Sequence, residues 1–184
     1  MKSTGLIAVC LLLLAAVPAR AQVSELSEVR VAVMQHDVTH LSRGDRESGA
    51  DFEVQLISEP VEALAILGRP RAYVSGSLNS DGDTNFAAVG VVWRRTLNDR
   101  WSAEYQFGYA IHDGQLDSND PAVARANLML GSRDLFRSAV GLDYHFNERW
   151  SLGFQWVHLS HGEIIGGGRN QGLDAAGLRV GRKF

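Results

Sequence analysis

An eight-stranded antiparallel transmembrane β-barrel, an all-β fold, is what this sequence predicts, and three observations lead there. A cleavable export signal opens the chain, the remainder divides into segments alternating with period two, and in those segments long apolar side chains lie opposite small or charged ones. A strand points successive side chains to opposite faces, so such segments have one greasy wall and one polar wall.

The export signal is read from Lys2, the apolar run Leu6 to Val17, and Ala19-Arg20-Ala21 before Gln22. A basic start, an apolar stretch and a small-x-small site describe a secretory signal peptide. Residues 1–21 are expected to be removed and residues 22–184 to form the barrel domain. The apolar run is shorter than the ~20 residues a spanning helix needs. Cys10, the only cysteine, lies inside it, so the exported chain is expected to hold no disulfide, thiol nucleophile or cysteine metal site.

Strands are expected near Val29–Val38, Ala50–Ser58, Arg71–Leu78, Asn85–Thr96, Arg100–His112, Ser132–Phe146, Arg149–Ser160 and Leu173–Phe184, each bounded by turn-forming residues. Asn98-Asp99 and Asn147-Glu148 read as tight polar turns, whereas Asp113–Asn127 and His161–Gln171 read as long polar or glycine-rich loops. Short and long connections alternate in the second half, the pattern of outer-membrane barrels with tight periplasmic turns and longer external loops.

The two faces decide between a membrane barrel and a soluble lipocalin-like barrel or sandwich. In the fifth strand Trp101, Ala103, Tyr105, Phe107, Tyr109 and Ile111 share one side, against Ser102, Glu104, Gln106, Gly108, Ala110 and His112. The sixth sets Val140, Leu142, Tyr144 and Phe146 against Ala139, Gly141, Asp143 and His145. The eighth sets Ala176, Leu178, Val180 and Phe184 against Ala175, Gly177, Arg179, Gly181 and Lys183. Glycine beside Glu, Asp, Arg and Lys makes a poor sandwich core but suits the cramped polar lumen of a small barrel, where Asp143, Glu104 and Arg179 are expected to form a network. Trp101, Trp150 and Tyr144, close to the tight turns, fit an aromatic girdle at a membrane interface, and the chain ends on the aromatic Phe184.

The formal charge of the whole sequence is −3, and no basic tract marks a nucleic-acid surface. Arginine supplies nearly all the positive charge, which suits contact with phosphates and carboxylates near anionic headgroups. His36, His40 and His112 have no spacing that gathers metal ligands. Asp81-Gly82-Asp83 reads as a turn, and Gly166-Gly167-Gly168 precedes a strand rather than the helix of a phosphate loop.

The seventh strand carries the chemistry. Its apolar face, Trp150, Leu152, Phe154 and Trp156, runs on into His158 and Ser160. With both termini in the periplasm, odd strands run outward, which puts this pair near the outer leaflet. Asp174 shares parity with Ala176, Leu178 and Val180 at the start of the eighth strand, so it too is expected to face lipid. The three can converge as hydroxyl nucleophile, imidazole base and orienting carboxylate; pairing with His158 would make the carboxylate tolerable there.

Gly141-Leu142-Asp143-Tyr144-His145-Phe146, Arg149-Trp150-Ser151-Leu152-Gly153, His158-Leu159-Ser160 and Asn170-Gln171-Gly172-Leu173-Asp174 resemble the carboxy-terminal half of the lipid A 3-O-deacylase family, over roughly Trp101 to Phe184. The resemblance implies a multi-pass outer-membrane serine esterase that removes the ester-linked 3-hydroxyacyl chain at the 3 position of lipid A in lipopolysaccharide. Neither a cofactor nor a metal is expected, and a homodimer is a possible assembly. The family places histidine, x, serine on the seventh strand and an acid, usually glutamate, after an asparagine-x-glycine turn; His158 and Ser160 match, and Asp174 is a shorter acid. By the same resemblance the backbone amides of His161 and Gly162 form the oxyanion hole. His161 stands where asparagine is usual, the loop Gly162–Gly168 is slightly longer, and Glu163 or a water is the alternative partner for His158. Two other functions compete with the esterase: a non-enzymatic structural or adhesive barrel, and a soluble lipocalin-like carrier, whose lumen would be apolar.

Overall fold

The structure, a computed structural model, describes residues 25–38 and 46–184; the expected signal peptide and His40 lie outside the described residues. Eight strands, β1 (Leu26–Gln35), β2 (Ala50–Pro60), β3 (Arg71–Asn79), β4 (Phe86–Thr96), β5 (Trp101–His112), β6 (Asp134–His145), β7 (Trp150–Ser160) and β8 (Leu173–Lys183), follow one another around a closed barrel. Every neighbouring pair is antiparallel, and β8 returns to pair with β1. Closure leaves no free strand edge, which a sheet in lipid requires. At the upper end, where odd strands finish, the connections β1–β2, β5–β6 and β7–β8 are long and β3–β4 is shorter; at the lower end β4–β5 and β6–β7 are tight turns, whereas β2–β3 is a longer connection with a 3-10 turn.

Two local features depart from the alternating pattern. β1 begins and ends three residues earlier than expected: Leu26 and Glu28 already pair with β2, and the strand stops at Gln35 because His36 turns inward to bond Asp51 and Glu47 and Asp37 adopts a φ of +49°. Two short helices also interrupt the connections: a 3-10 turn at Glu62–Leu67 and α1 (Pro121–Ala126). The sequence does mark α1: Asp120 accepts a hydrogen bond from the Ala122 amide as N-cap, and Pro121 takes the first position, where its missing N–H costs nothing.

The lower lumen is filled by ion pairs. Arg179 is 2% exposed and donates to both oxygens of Asp143, at 2.9 and 2.7 Å, and to Glu104 at 2.9 Å. Arg30 donates twice to Glu104, at 2.6 and 2.5 Å, and Arg94 bonds both Glu104 and Glu28. Higher up, Arg137 bonds Glu53 and Gln106, and Gln155 joins Glu53 to Arg179. Glycine makes the room: Gly153 lies opposite both Asp143 and Arg179, and a Cβ there would fall 2.0 Å from Asp143 Oδ1.

The upper lumen holds a large apolar cluster beside the buried polar residues His36, Asp51, Ser77 and His112, where polar filling throughout is expected from the sequence. Met34, Ala110, Leu135, Val157, Leu159, Leu173 and Ala175 line it, and Leu128 and Leu130 descend from the β5–β6 loop to close it, all essentially without exposure. Burying each leucine contributes ~1.5–3 kcal/mol, and the loop satisfies its backbone locally. The Leu130 and Gly131 amides donate to Gln115 and Leu116, Met129 and Gln171 bond each other twice, and the Leu128 amide donates to Glu47. Glu47 also meets His36, whose other ring nitrogen meets Asp51 at 2.8 Å. Burial by itself would lower the His36 pKa, but the hydrogen bonds and charges of Asp51 and Glu47 override it and raise it to about 9.

Outside, Val31, Val33, Phe52, Val54, Val74, Leu78, Val89, Phe107, Ile111 and Leu178 are all exposed, forming the apolar belt that a membrane barrel presents to lipid. At its lower edge Trp101 packs edge-on against Tyr144 with ring centroids 5.2 Å apart, Tyr144 against Phe146 at 5.3 Å, and Arg182 covers Trp150 and Phe184. Among the described residues no helix is long and apolar enough to cross a membrane.

Two outcomes follow from the lumen. Arg179→Met leaves Asp143 and part of Glu104 buried without a countercharge and is expected to cost ~3–5 kcal/mol in urea unfolding from detergent, whereas Arg182→Met, on the outer face, should cost under ~1 kcal/mol. A cost for Arg179→Met no larger than for Arg182→Met would contradict the network's role. The raised His36 pKa contributes stability that is complete below the unfolded pKa of 6.5 and lost as pH rises through about 9. Hydrogen-exchange protection of the Leu128 and Thr84 amides, both held by Glu47, should therefore fall across that window while strand amides keep theirs.

Candidate functional site

The site begins with register. β7 and β8 place His158 directly opposite Asp174, and His158 Nδ1 lies 2.7 Å from Asp174 Oδ1. On its other side β6 places Ser138 opposite His158 and Phe136 opposite Ser160. His158 and Ser160 lie two positions apart on the outward face, both half-buried, with Cα atoms ~7 Å apart by strand rise.

Asp174 has the outward parity expected, but it does not face lipid. The residue is completely buried, and the Val38 amide donates to its carbonyl at 2.9 Å, drawing the segment after β1 across the start of β8. The physical reason is the cost of a carboxylate in hydrocarbon: this one is enclosed by protein and bonded to imidazole.

With Nδ1–H donated to the carboxylate, Nε2 is left as the ring's acceptor nitrogen. Trp156 stacks against His158 at 6.2 Å between centroids and 28° between planes, which limits rotation of the ring. Among the described residues no hydrogen bond engages His158 Nε2 or the Ser160 hydroxyl. Nor do the amides of His161 and Gly162 donate to any described group. Gly162 and Glu163 turn sharply there, with φ of +59° and +57°, a conformation glycine enters freely.

The His161 side chain does not join this group. It is 1% exposed and points inward, its Nδ1 accepting from the Glu163 amide at 3.1 Å and its Nε2 lying 3.4 Å from the Arg169 carbonyl. It thus anchors the loop and fixes where its own amide and that of Gly162 point. The Glu163 side chain is exposed and makes no described contact with His158. His36 and His112 sit apart at the rim, His112 Nε2 being 2.6 Å from the Ser132 carbonyl, and no group of metal-ligating side chains occurs among the described residues.

The alternation does not single out Phe136 and Trp156 as site residues. Phe136 stacks on Phe107 at 5.7 Å, and the position of a Cβ on Gly162 lies 3.6 Å from its ring, so the wall beside Ser160 is aromatic. Its outward parity was legible in β6, but its pairing with Ser160 follows only from register. A hydroxyl, an imidazole and a buried carboxylate in this order on an apolar wall can perform nucleophilic acyl transfer on a lipid ester.

The lipid A 3-O-deacylase (PagL) family model matches residues 65–183. Among solved structures, the outer-membrane enzyme PagL superposes with a TM-score of 0.56 at 14% identity, covering 86% of this chain and 100% of that one. The N-terminal β-barrel domain of Pseudomonas aeruginosa OprF gives 0.52 at 14% identity, covering 86% and 98%. A de novo designed transmembrane β-barrel gives 0.51 at 10% identity, covering 87% and 98%. These likenesses show the fold, that of outer-membrane barrels. Comparison with curated protein sequences gives no match. The family match begins well upstream of Trp101, within the 3-10 turn before β3, and takes in His158, Ser160 and Asp174. Matched over well more than half its length, the chain belongs to the lipid A 3-O-deacylase (PagL) family.

Proposed function

We propose that the protein is an outer-membrane serine esterase that removes the 3-O-linked hydroxyacyl chain from lipid A, with Ser160 as nucleophile, His158 as base and Asp174 as the acid that orients it. The observation carrying this reading is the 2.7 Å contact between His158 and a buried Asp174, on the outward face and two residues from Ser160. Family membership supports the substrate class.

The chemistry runs as acyl transfer. His158 Nε2 takes the Ser160 proton as Oγ attacks the ester carbonyl, while Asp174 holds the imidazole tautomer and stabilises the imidazolium. The His161 and Gly162 amides receive the oxyanion, a role in which losing one donor costs about 10²–10³ in rate. Collapse expels the sugar oxygen, protonated by His158. Water activated by the same imidazole then releases the 3-hydroxy fatty acid and restores Ser160.

Height along the barrel supports the leaflet assignment. From Trp150 in the lower girdle to His158 is eight residues, ~26 Å along a strand and ~20 Å along the membrane normal at a typical tilt, against an apolar band of ~25 Å. His158 then lies at the upper edge of that band, where an acyl ester meets its headgroup. Aspartate in place of the usual glutamate is accommodated by direct cross-strand pairing with His158.

The assay that separates this reading from a non-enzymatic barrel is incubation of the purified barrel with lipid A in detergent and detection of released 3-hydroxy fatty acid; no release sinks the esterase. Ser160→Ala and His158→Asn should each lower the rate about 10³-fold or more with heat-modifiable gel migration retained, and the double variant should be no worse, since base and nucleophile act as one unit. Most of the activity surviving in Ser160→Ala would exclude the hydroxyl.

Asp174→Asn should lower the rate strongly but less completely, because the carboxylate orients without bonding substrate, and Asp174→Glu should keep substantial activity. A silent Asp174→Asn alongside an inactive Glu163→Gln would move the acid to Glu163.

A further inference from the structure

We infer that the cleft between the upper connections β1–β2, β5–β6 and β7–β8 is a phosphate site that grips the phosphorylated headgroup of the lipid while its ester lies at Ser160. This inference rests on the esterase reading above. The cleft has a volume of about 520 Å³ and is lined by Arg46, Arg125, Arg169, Asn170 and Gln171 together with the α1 residues Pro121 and Ala124. It has three guanidinium groups and no carboxylate in its lining.

The charge balance of this cleft differs from that of the lumen. In the lumen Arg30, Arg94, Arg137 and Arg179 each meet a carboxylate within 3 Å. In the cleft, Arg46 donates through Nη1 only to the Ala124 carbonyl and Arg125 through Nε only to the Pro121 carbonyl at 3.0 Å, and among the described residues neither has an acidic partner. Arg169 shares the half-exposed Asp117 at 3.4 Å. A guanidinium has five N–H donors, so Arg46 and Arg125 each keep most of theirs for a ligand.

A second observation points the same way. Among the described residues the Asn170 carboxamide makes no hydrogen bond, and its Oδ1 is buried without a partner. With Oδ1 buried, the N–H₂ is the end of the carboxamide left for a ligand. Forked donors whose charge is mostly uncompensated among the described residues, with a spare amide, match a phosphate dianion better than a sugar hydroxyl or a single carboxylate.

Position ties the cleft to the ester site. Asn170 precedes Asp174 by four residues, at most ~13–14 Å of extended chain. Gln171 is bonded to Met129, the Arg169 carbonyl meets His161, and the chain after β1 meets Asp174 through Val38, so the same loops hold both places. A headgroup held there would lie above the apolar belt with its acyl chains descending along β7 and β8.

The test compares phosphorylated lipid A with the same lipid stripped of its phosphates, using the whole barrel in detergent. Wild type should prefer the phosphorylated form by about tenfold or more in kcat/KM, mainly through KM, and added salt should shrink the preference. In the double variant Arg46→Gln with Arg125→Gln, with heat-modifiable migration as the folding control, the ratio should fall toward one. An unchanged ratio, or no preference in wild type, overturns the inference. If wild type releases fatty acid from neither lipid, the esterase reading fails, and the cleft is judged by binding of the two lipids to Ser160→Ala protein: equal binding overturns it, tighter binding of the phosphorylated form that the arginine substitutions erase upholds it. Inorganic phosphate separates the sources. Discrimination between the lipids that persists in millimolar phosphate supports a headgroup site, whereas its loss there makes the cleft a free-phosphate site and overturns the headgroup assignment.

Discussion

Arg179 and Asp143 meet across Gly153, and much of the molecule depends on that one ion pair. Both residues lie opposite the same glycine, one on β8 and one on β6. In a lumen this narrow neither charge has water, so each needs the other at hydrogen-bond distance. A slip of one residue between β7 and β8 would send Arg179 into the apolar belt and turn Asp174 toward the lumen. The register that satisfies the ion pair also sets His158 opposite Asp174, five positions later in β7 and five earlier in β8. The buried charge network and the candidate site are therefore one alignment seen at two heights.

The barrel divides its interior between two ways of excluding water. Its lower part does so with paired charges held in a glycine-lined space, its upper part with an apolar plug completed by Leu128 and Leu130. The plug holds the β5–β6 loop, which bonds Gln171 of the β7–β8 loop, and Glu47 clamps it from the β1–β2 side. Loops tied in this way keep a constant height above the lipid belt. Under the proposed function that would matter at a leaflet boundary, where nucleophile and headgroup contacts must meet one substrate in one orientation.

Burial also decides how the acid is tolerated. The cross-strand contact with His158 engages one oxygen, the Val38 amide bonds the Asp174 carbonyl, and the residue is completely buried. A shorter side chain than glutamate is compatible with this because the pairing is direct rather than diagonal, so the smaller reach is met by backbone placement.

Much of this was legible in the chain itself. Turn-bounded segments along the chain announced eight strands, and period-two alternation in β5 to β8 the lipid-facing and lumen-facing sets, the Asp143, Glu104 and Arg179 network, and the shared face of His158 and Ser160, because side-chain parity in a strand is a local property. The interval between Asn170 and Asp174 marked the acid by resemblance. What alternation cannot carry is anything set by register or by loops. The pairing of Phe136 with Ser160, the enclosure of Asp174, the apolar cluster of the upper lumen and the gathering of Arg46, Arg125 and Arg169 all join residues far apart in the chain. Those contacts exist only after the barrel has closed and its loops have packed, since hydrogen-bond register, buried charge and loop burial are satisfied together or not at all.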